Sequence, residues 1–201
     1  MKRILLLILC FSLLFSFAAC RSSESTGQYD TKIAPNPEES GNPTLIVYFS
    51  ATGNTEKAAE IIASATDGEL FELIPTEPYT AEDLNWNDEN SRVVREYNHP
   101  EERETALTTE TVEDWNAYET IFIGYPIWWG IAAWPVNSFI EANDFTGKTV
   151  IPFCTSASSE LGESGELLRE AAGSGRWLPG KRLSSNPSES EIEEWLDTLE
   201  L

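Results

Sequence analysis

Three apolar runs rich in β-branched and aromatic residues constrain this chain more than any other feature: Thr44–Phe49 (TLIVYF), Thr120–Tyr125 (TIFIGY) and Thr149–Thr155 (TVIPFCT). Runs of that length without polar alternation suit strands buried on both faces. Glu69–Pro75 (ELFELIP) alternates as a half-buried strand, and Gly180–Ser184 reads as a weak fifth one. Helical spacing fills the gaps. Residues 55–65 set Ala58, Ala59, Ile61, Ile62 and Ala65 on one face and stop near Gly68. Further helices are expected near 133–142, with Trp134 and Pro135 in the first turn, at 163–172 before Gly173, and at 189–199, with Ile192, Trp195, Leu196 and Leu199 together. The alternation implies an α/β domain, a five-stranded doubly wound parallel sheet with helices on both faces. Its ligand belongs outside the carboxyl ends of the strands, where strand order reverses. Residues 77–114 resist the scheme. They are long and polar, and read as one or two short helices with loops covering a sheet edge.

The 201 residues carry 13 Lys+Arg against 34 Asp+Glu, a formal charge of −21, which excludes a nucleic-acid binder working through a basic face. With 41% hydrophobic residues a disordered chain is excluded too. Cys10, Cys20, Cys154 and the single His99 make neither a disulfide framework nor a multi-histidine metal site. His99 sits in a polar loop and gets no catalytic role.

Lys2 and Arg3 precede an apolar run from Ile4 to Phe17, then Ala18-Ala19 and Cys20. Residues 1–19 read as a signal peptide, because the run is short of the about 20 residues a spanning helix needs; a retained anchor helix is the alternative. Phe17-Ala18-Ala19-Cys20 resembles the bacterial lipobox, with Phe in place of the usual Leu. That resemblance implies lipidation of Cys20 and attachment to the bacterial cell membrane or envelope from outside. Residues 20–43, rich in Ser, Gly, Pro and Glu, are then a lipid-anchored flexible tether to a domain over 44–201. Cys154 would stand alone, without a disulfide, as a buried inert thiol in an apolar strand.

After the first strand, Ser50-Ala51-Thr52-Gly53-Asn54-Thr55 leads straight into a helix. A helix start exposes unpaired N–H groups and the positive end of the helix dipole, so it holds a phosphate without a basic side chain. Ser50, Thr52 and Thr55 add hydroxyls, and Gly53 lets the backbone approach. The same residues also suit a plain turn with a helix cap. The glycine–lysine pattern of nucleoside triphosphatases and the Gly-x-Gly-x-x-Gly of dinucleotide binders are both missing. Lys57 reads as a solvated helix residue.

Ile46-Val47-Tyr48-Phe49-Ser50-x-Thr52-Gly53-Asn54-Thr55 resembles the FMN phosphate loop of flavodoxins, matching Thr/Ser-x-Thr-Gly-x-Thr at all four fixed positions. Gly124-Tyr125-Pro126-Ile127-Trp128-Trp129-Gly130 and Ile151-Pro152-Phe153-Cys154-Thr155-Ser156-Ala157-Ser158-Ser159 resemble the longer branch of that family, as does the insert around 79–103. The resemblance spans roughly 44–200 and implies FMN and strand order 2-1-3-4-5. Ser50 to Thr55 would hold the phosphate. Pro126, Ile127, Trp128, Trp129 and Gly130 would flank the ring, with Gly124 and Gly130 letting the chain run against it. Thr155, Ser156, Ala157, Ser158 and Gly162 would face its pyrimidine edge, although Ala157 and Glu160 stand where the family often has Gly. Trp128 and Trp129 also suit core packing, and which aromatic stacks is left open. Trp86, Arg92 and Arg95 either cover the ring or a second substrate, or simply pack on the surface.

These readings describe an exported electron-transfer protein whose partner is a redox protein or a small-molecule electron acceptor. An FMN-dependent NAD(P)H:quinone-type oxidoreductase and a cofactor-free binding lipoprotein on the same fold are the alternatives.

Overall fold

The computed structural model describes residues 43–199; the expected signal segment, Cys20 and the tether up to residue 42 lie outside the described residues. In chain order the elements are β1 (Thr44–Tyr48), α1 (Asn54–Thr66), β2 (Glu69–Glu72), α2 (Arg92–Asn98), β3 (Thr120–Trp128), β4 (Ile131–Ala132), α3 (Pro135–Ala142), β5 (Thr149–Thr155), α4 (Ser164–Ala172), β6 (Arg176–Trp177), β7 (Lys181–Leu183) and α5 (Glu189–Leu196). The sheet runs β2-β1-β3-β5 and then β6 and β7, with every pair parallel except the β3–β4 hairpin.

Strand alternation sorts the core. Leu45, Val47 and Phe49 of β1 and its end pack with Val136, Phe139 and Ile140 of α3 and Leu168 of α4. Ile46 and Tyr48 turn to the other face, against Ala58, Ala59 and Ile62 of α1 and Ile192 and Trp195 of α5. Each fully buried large apolar side chain contributes about 1.5–3 kcal/mol, which is why the continuous runs, apolar on both faces, take the central positions.

The sheet is five positions wide, as the sequence implies, but has seven strands, because the outer position is broken and β4 is added. Thr149 and Val150 pair with Arg176 and Trp177, and Phe153 to Thr155 pair with Lys181 to Leu183. Between them Leu178-Pro179-Gly180 stand opposite only Ile151 and Pro152. Both prolines lack the N–H a ladder needs, so the edge bulges there. A Cβ on Gly180 would come within 2.7 Å of the Pro152 carbonyl oxygen, so the bulge closes against glycine alone.

The second strand ends at Glu72 rather than Pro75. Residues 74–76 turn to the returning end of the insert, where Thr108 N–H donates to Ile74 O at 2.8 Å and Thr76 N–H to Ala106 O at 2.9 Å. Of the insert, 92–98 and the short turn 100–102 are helical, and a further short turn at 115–117 follows it.

Candidate functional site

β1 delivers its chain at Phe49 to a tight turn before α1. Gly53 occupies the left-handed region (φ 84°), a conformation that costs other residues about 1–2 kcal/mol. Ser50 Oγ accepts from Glu56 N–H at 3.1 Å, and Gly53 O accepts from Lys57 N–H at 3.1 Å. The N–H groups of Thr52, Gly53, Asn54 and Thr55 then donate to no acceptor among the described residues. Ser50 Oγ thus caps the first turn of α1 and keeps its own O–H to donate. Thr55 is buried, and its hydroxyl shares a 2.8 Å hydrogen bond with that of Thr155, tying the start of α1 to the end of β5. One hydroxyl of that pair donates to the other, so the pair retains a single O–H to give.

The second segment differs from a loop. β3 continues to Trp128 and turns through Trp129-Gly130 into β4, with Trp128 opposite Ile131. Trp129 (φ 46°) and Gly130 (φ 83°) are both left-handed, as a two-residue hairpin of right-handed twist requires. Trp129 has a Cβ and therefore strain, offset by stacking on Tyr97 (4.7 Å between centroids, 12° between planes) and on Trp134 (6.1 Å, 20°). Trp128 makes edge contacts with Phe49, Tyr79 and Trp134. Trp128 therefore packs against the core, Trp129 is held by its two stacking partners while staying 39% exposed, and both line the site. Gly124 lies inside the sheet, where a Cβ would stand 2.2 Å from the Phe153 ring, so packing against Phe153 and not approach to a ligand fixes it. Tyr125 is fully buried, its hydroxyl 3.0 Å from Ser164 Oγ, and burial raises its pKa.

The third segment is shaped without a glycine at 157 or 160. Ser156 Oγ accepts from Ser158 N–H at 3.2 Å and Ser159 N–H at 2.7 Å, closing a compact turn. Arg182 of β7 donates to Ser156 O at 2.9 Å and Ala157 O at 3.1 Å, while its buried Nε has no partner among the described residues. Burial pushes the Cys154 thiol up to about 12, so it is a neutral core group at pH 7. Gly162 (φ 56°) passes under the hairpin, a Cβ there meeting Gly130 O at 3.5 Å.

These three segments surround one cavity of about 600 Å³ at the carboxyl end of the sheet. Of the residues the sequence singles out, Ala51, Thr52, Asn54, Thr55, Pro126, Ile127, Trp128, Trp129, Thr155, Ser156, Ala157 and Ser158 line it; Ser50, Gly53, Gly130 and Gly162 shape the turns behind. Ser159, inside the third expected segment, also lines it, as do Leu84, Val93 and Ser185, which were not singled out. Only folding brings the insert and the end of β7 there, and a lone Leu, Val or Ser carries no motif. Trp86 completes the wall. Arg92 and Arg95 do not: Arg92 binds Glu96 (2.6 Å) and Glu77 O (2.7 Å), and Arg95 pairs with Glu102 (2.8 Å). Lys57 Nζ is taken by Asn186 Oδ1. No lysine or arginine among the described residues lines the cavity, so the donors it can offer an anion are backbone N–H groups and hydroxyls.

The family profile for flavodoxins matches residues 43–199. Among solved structures, a chain from Bacteroides eggerthii named for a flavoprotein is 40% identical, with 80% of this chain and 99% of that one aligned and a TM-score of 0.73. One from Bacteroides uniformis, similarly named, is 39% identical over 79% and 100% at a TM-score of 0.72. A flavoprotein from Lactobacillus acidophilus, solved in complex with FMN, is 26% identical over 78% and 99% at 0.57. Among curated proteins no sequence matches. Sheet order, the turn at Gly53 and these likenesses agree, and the chain belongs to the flavodoxin family.

Proposed function

We propose that this protein binds FMN non-covalently and passes electrons at the outer face of a bacterial membrane, held there by lipid on Cys20. The observation that carries the reading is the run of N–H groups from Thr52 to Thr55 with no acceptor among the described residues, set at the left-handed Gly53 turn beside a cavity of about 600 Å³ that Thr52, Asn54 and Thr55 line. Such donors fit a phosphate dianion. The remaining wall fits a flat amphipathic ring. Pro126, Ile127, Trp128 and Trp129 give it apolar contact, and the hydroxyls of Ser156 and Ser158 with the N–H of Ala157 suit its polar rim. FMN supplies the one- and two-electron chemistry; the protein binds, orients and sets the charge around it.

Titration of the purified protein with FMN, followed by absorbance and loss of flavin fluorescence, tests this. Saturable one-to-one binding is expected, weakened at least about a hundredfold by Thr52→Asp, which sets a carboxylate against the phosphate. A folded protein that leaves FMN unquenched would favour the cofactor-free binding lipoprotein. Leu84, Trp86 and Val93 on the cavity wall favour a second reading, a reductase taking hydride from NAD(P)H to a quinone-type acceptor. Turnover of NAD(P)H by the holoprotein alone would select it, and dependence on a partner reductase would select the carrier. Lipidation is checked by the mass of the mature N-terminus and by loss of membrane association in Cys20→Ala.

A further inference from the structure

Among the large apolar side chains at the cavity, Trp86 is the outlier. It is 71% exposed, far more than Trp129 at 39%, and its indole has no ring partner and no side-chain hydrogen bond among the described residues. An indole left in water forgoes the apolar burial that normally fixes such a residue. The backbone beneath it is nonetheless well held. Thr80 N–H and Oγ1 both donate to Asp83 Oδ2 at 2.9 Å, Asp83 O accepts from Val93 N–H at 3.0 Å, and Trp86 N–H donates to Leu84 O at 2.9 Å. Beyond it, Asp88 Oδ1 accepts from Asn90 N–H at 2.9 Å and Ser91 Oγ caps α2. The turn thus presents a free indole at the rim of the cavity rather than burying it, and Leu84 and Val93 continue the same wall inward. The two tryptophans of the hairpin are engaged, Trp129 stacked on Tyr97 and Trp134 and Trp128 wedged among three rings.

We propose that Trp86, carried by the insert rather than by any of the three loops, is the aromatic cover of the flavin ring. The inference rests on FMN being the ligand. Its indole closes over the ring plane, its exposed surface being the surface that stacking removes from water, and it shields the ring from solvent and from small reactants. This assigns the insert a part in the site itself, beyond covering a sheet edge.

The test compares FMN titrations of the wild-type protein, Trp86→Ala and Trp86→Phe, reading the dissociation constant, the fluorescence of bound FMN and its quenching by iodide. Because Trp86 packs on no other ring, the variants should keep the wild-type circular dichroism and melting temperature. Expected for Trp86→Ala are an affinity lower by about tenfold, brighter bound flavin and greater iodide access, with Trp86→Phe between. Wild-type binding with all three readings unchanged in Trp86→Ala would overturn the cover and leave the FMN reading standing. A folded wild type that does not bind FMN would overturn both.

Discussion

At the residue scale, small groups decide more than large ones. Gly124 has no room for a methyl, since Phe153 fills the place of its Cβ. Gly124→Ala is therefore expected to destabilise the fold by about 1–3 kcal/mol in urea denaturation, whereas relief by Phe153→Leu in the double variant would show that the clash is the cause. Asp144 is a different kind of residue, fully exposed yet accepting from Thr146 N–H (2.9 Å), Thr146 Oγ1 (2.7 Å) and Ser174 Oγ (3.1 Å). These hydrogen bonds hold its carboxyl below the usual carboxylate range, those of Thr146 most of all. A depressed folded pKa means stability that is present above the unfolded value of about 3.9 and lost as pH falls through the folded one. Melting temperatures of the wild type should accordingly exceed those of Asp144→Asn at pH 7, with the gap closing below about pH 3.

At the scale of elements, a buried carboxylate is one of the ties between the insert and the domain. Glu96 of α2 accepts from Arg92 Nε (2.6 Å), Tyr79 Oη (2.8 Å) and Trp134 Nε1 (2.7 Å), and Trp134 precedes α3 and packs on both hairpin indoles. Glu96→Ala would strand a buried indole N–H and a guanidinium together, so a loss of about 3–5 kcal/mol is expected on unfolding. Because Val93 and the turn bearing Trp86 adjoin the same helix, FMN affinity should fall as well. β7 plays a matching part for the third loop. Arg182 holds the carbonyls of Ser156 and Ala157, and Arg182→Ala should weaken FMN by about tenfold in the same titration while leaving the sheet folded. Unchanged affinity would show that Ser156 alone shapes the loop.

For the whole molecule the governing quantity is charge, −21 over 201 residues. Adding electrons to a flavin inside that field is opposed, and the field is screened by salt. The midpoint potential of the fully reduced couple should rise as ionic strength increases from 10 to about 500 mM, across which the Debye length falls from ~30 Å to below 10 Å. A potential flat over that range would remove whole-body charge from the account. Basic partners should associate faster at low salt for the same reason.

The buried strands, the helices that flank them and the segment that turns at Gly53 were legible because each depends on neighbours in the chain, whereas the strand order followed only from the family resemblance. Continuous β-branched runs report burial on both faces, and Ser-x-Thr-Gly-x-Thr reports a turn into a helix start. Ser156 and Arg182, Thr55 and Thr155, Glu96 and Trp134 are pairs joined across 26 to 100 residues, and their partnership exists only once the chain is folded. Trp128 and Trp129 show the boundary most clearly. Their sequence suits both ring contact and core packing, and the hairpin at Trp129-Gly130 commits most of their surface to Phe49, Tyr79, Tyr97 and Trp134. Local pattern fixes which face of a strand or helix an amino acid occupies, because backbone geometry repeats every 2 or 3.6 residues. It does not fix which distant side chain arrives opposite, and that choice, made by close packing of the two helical layers and the insert, decides which indole is left free at the cavity rim.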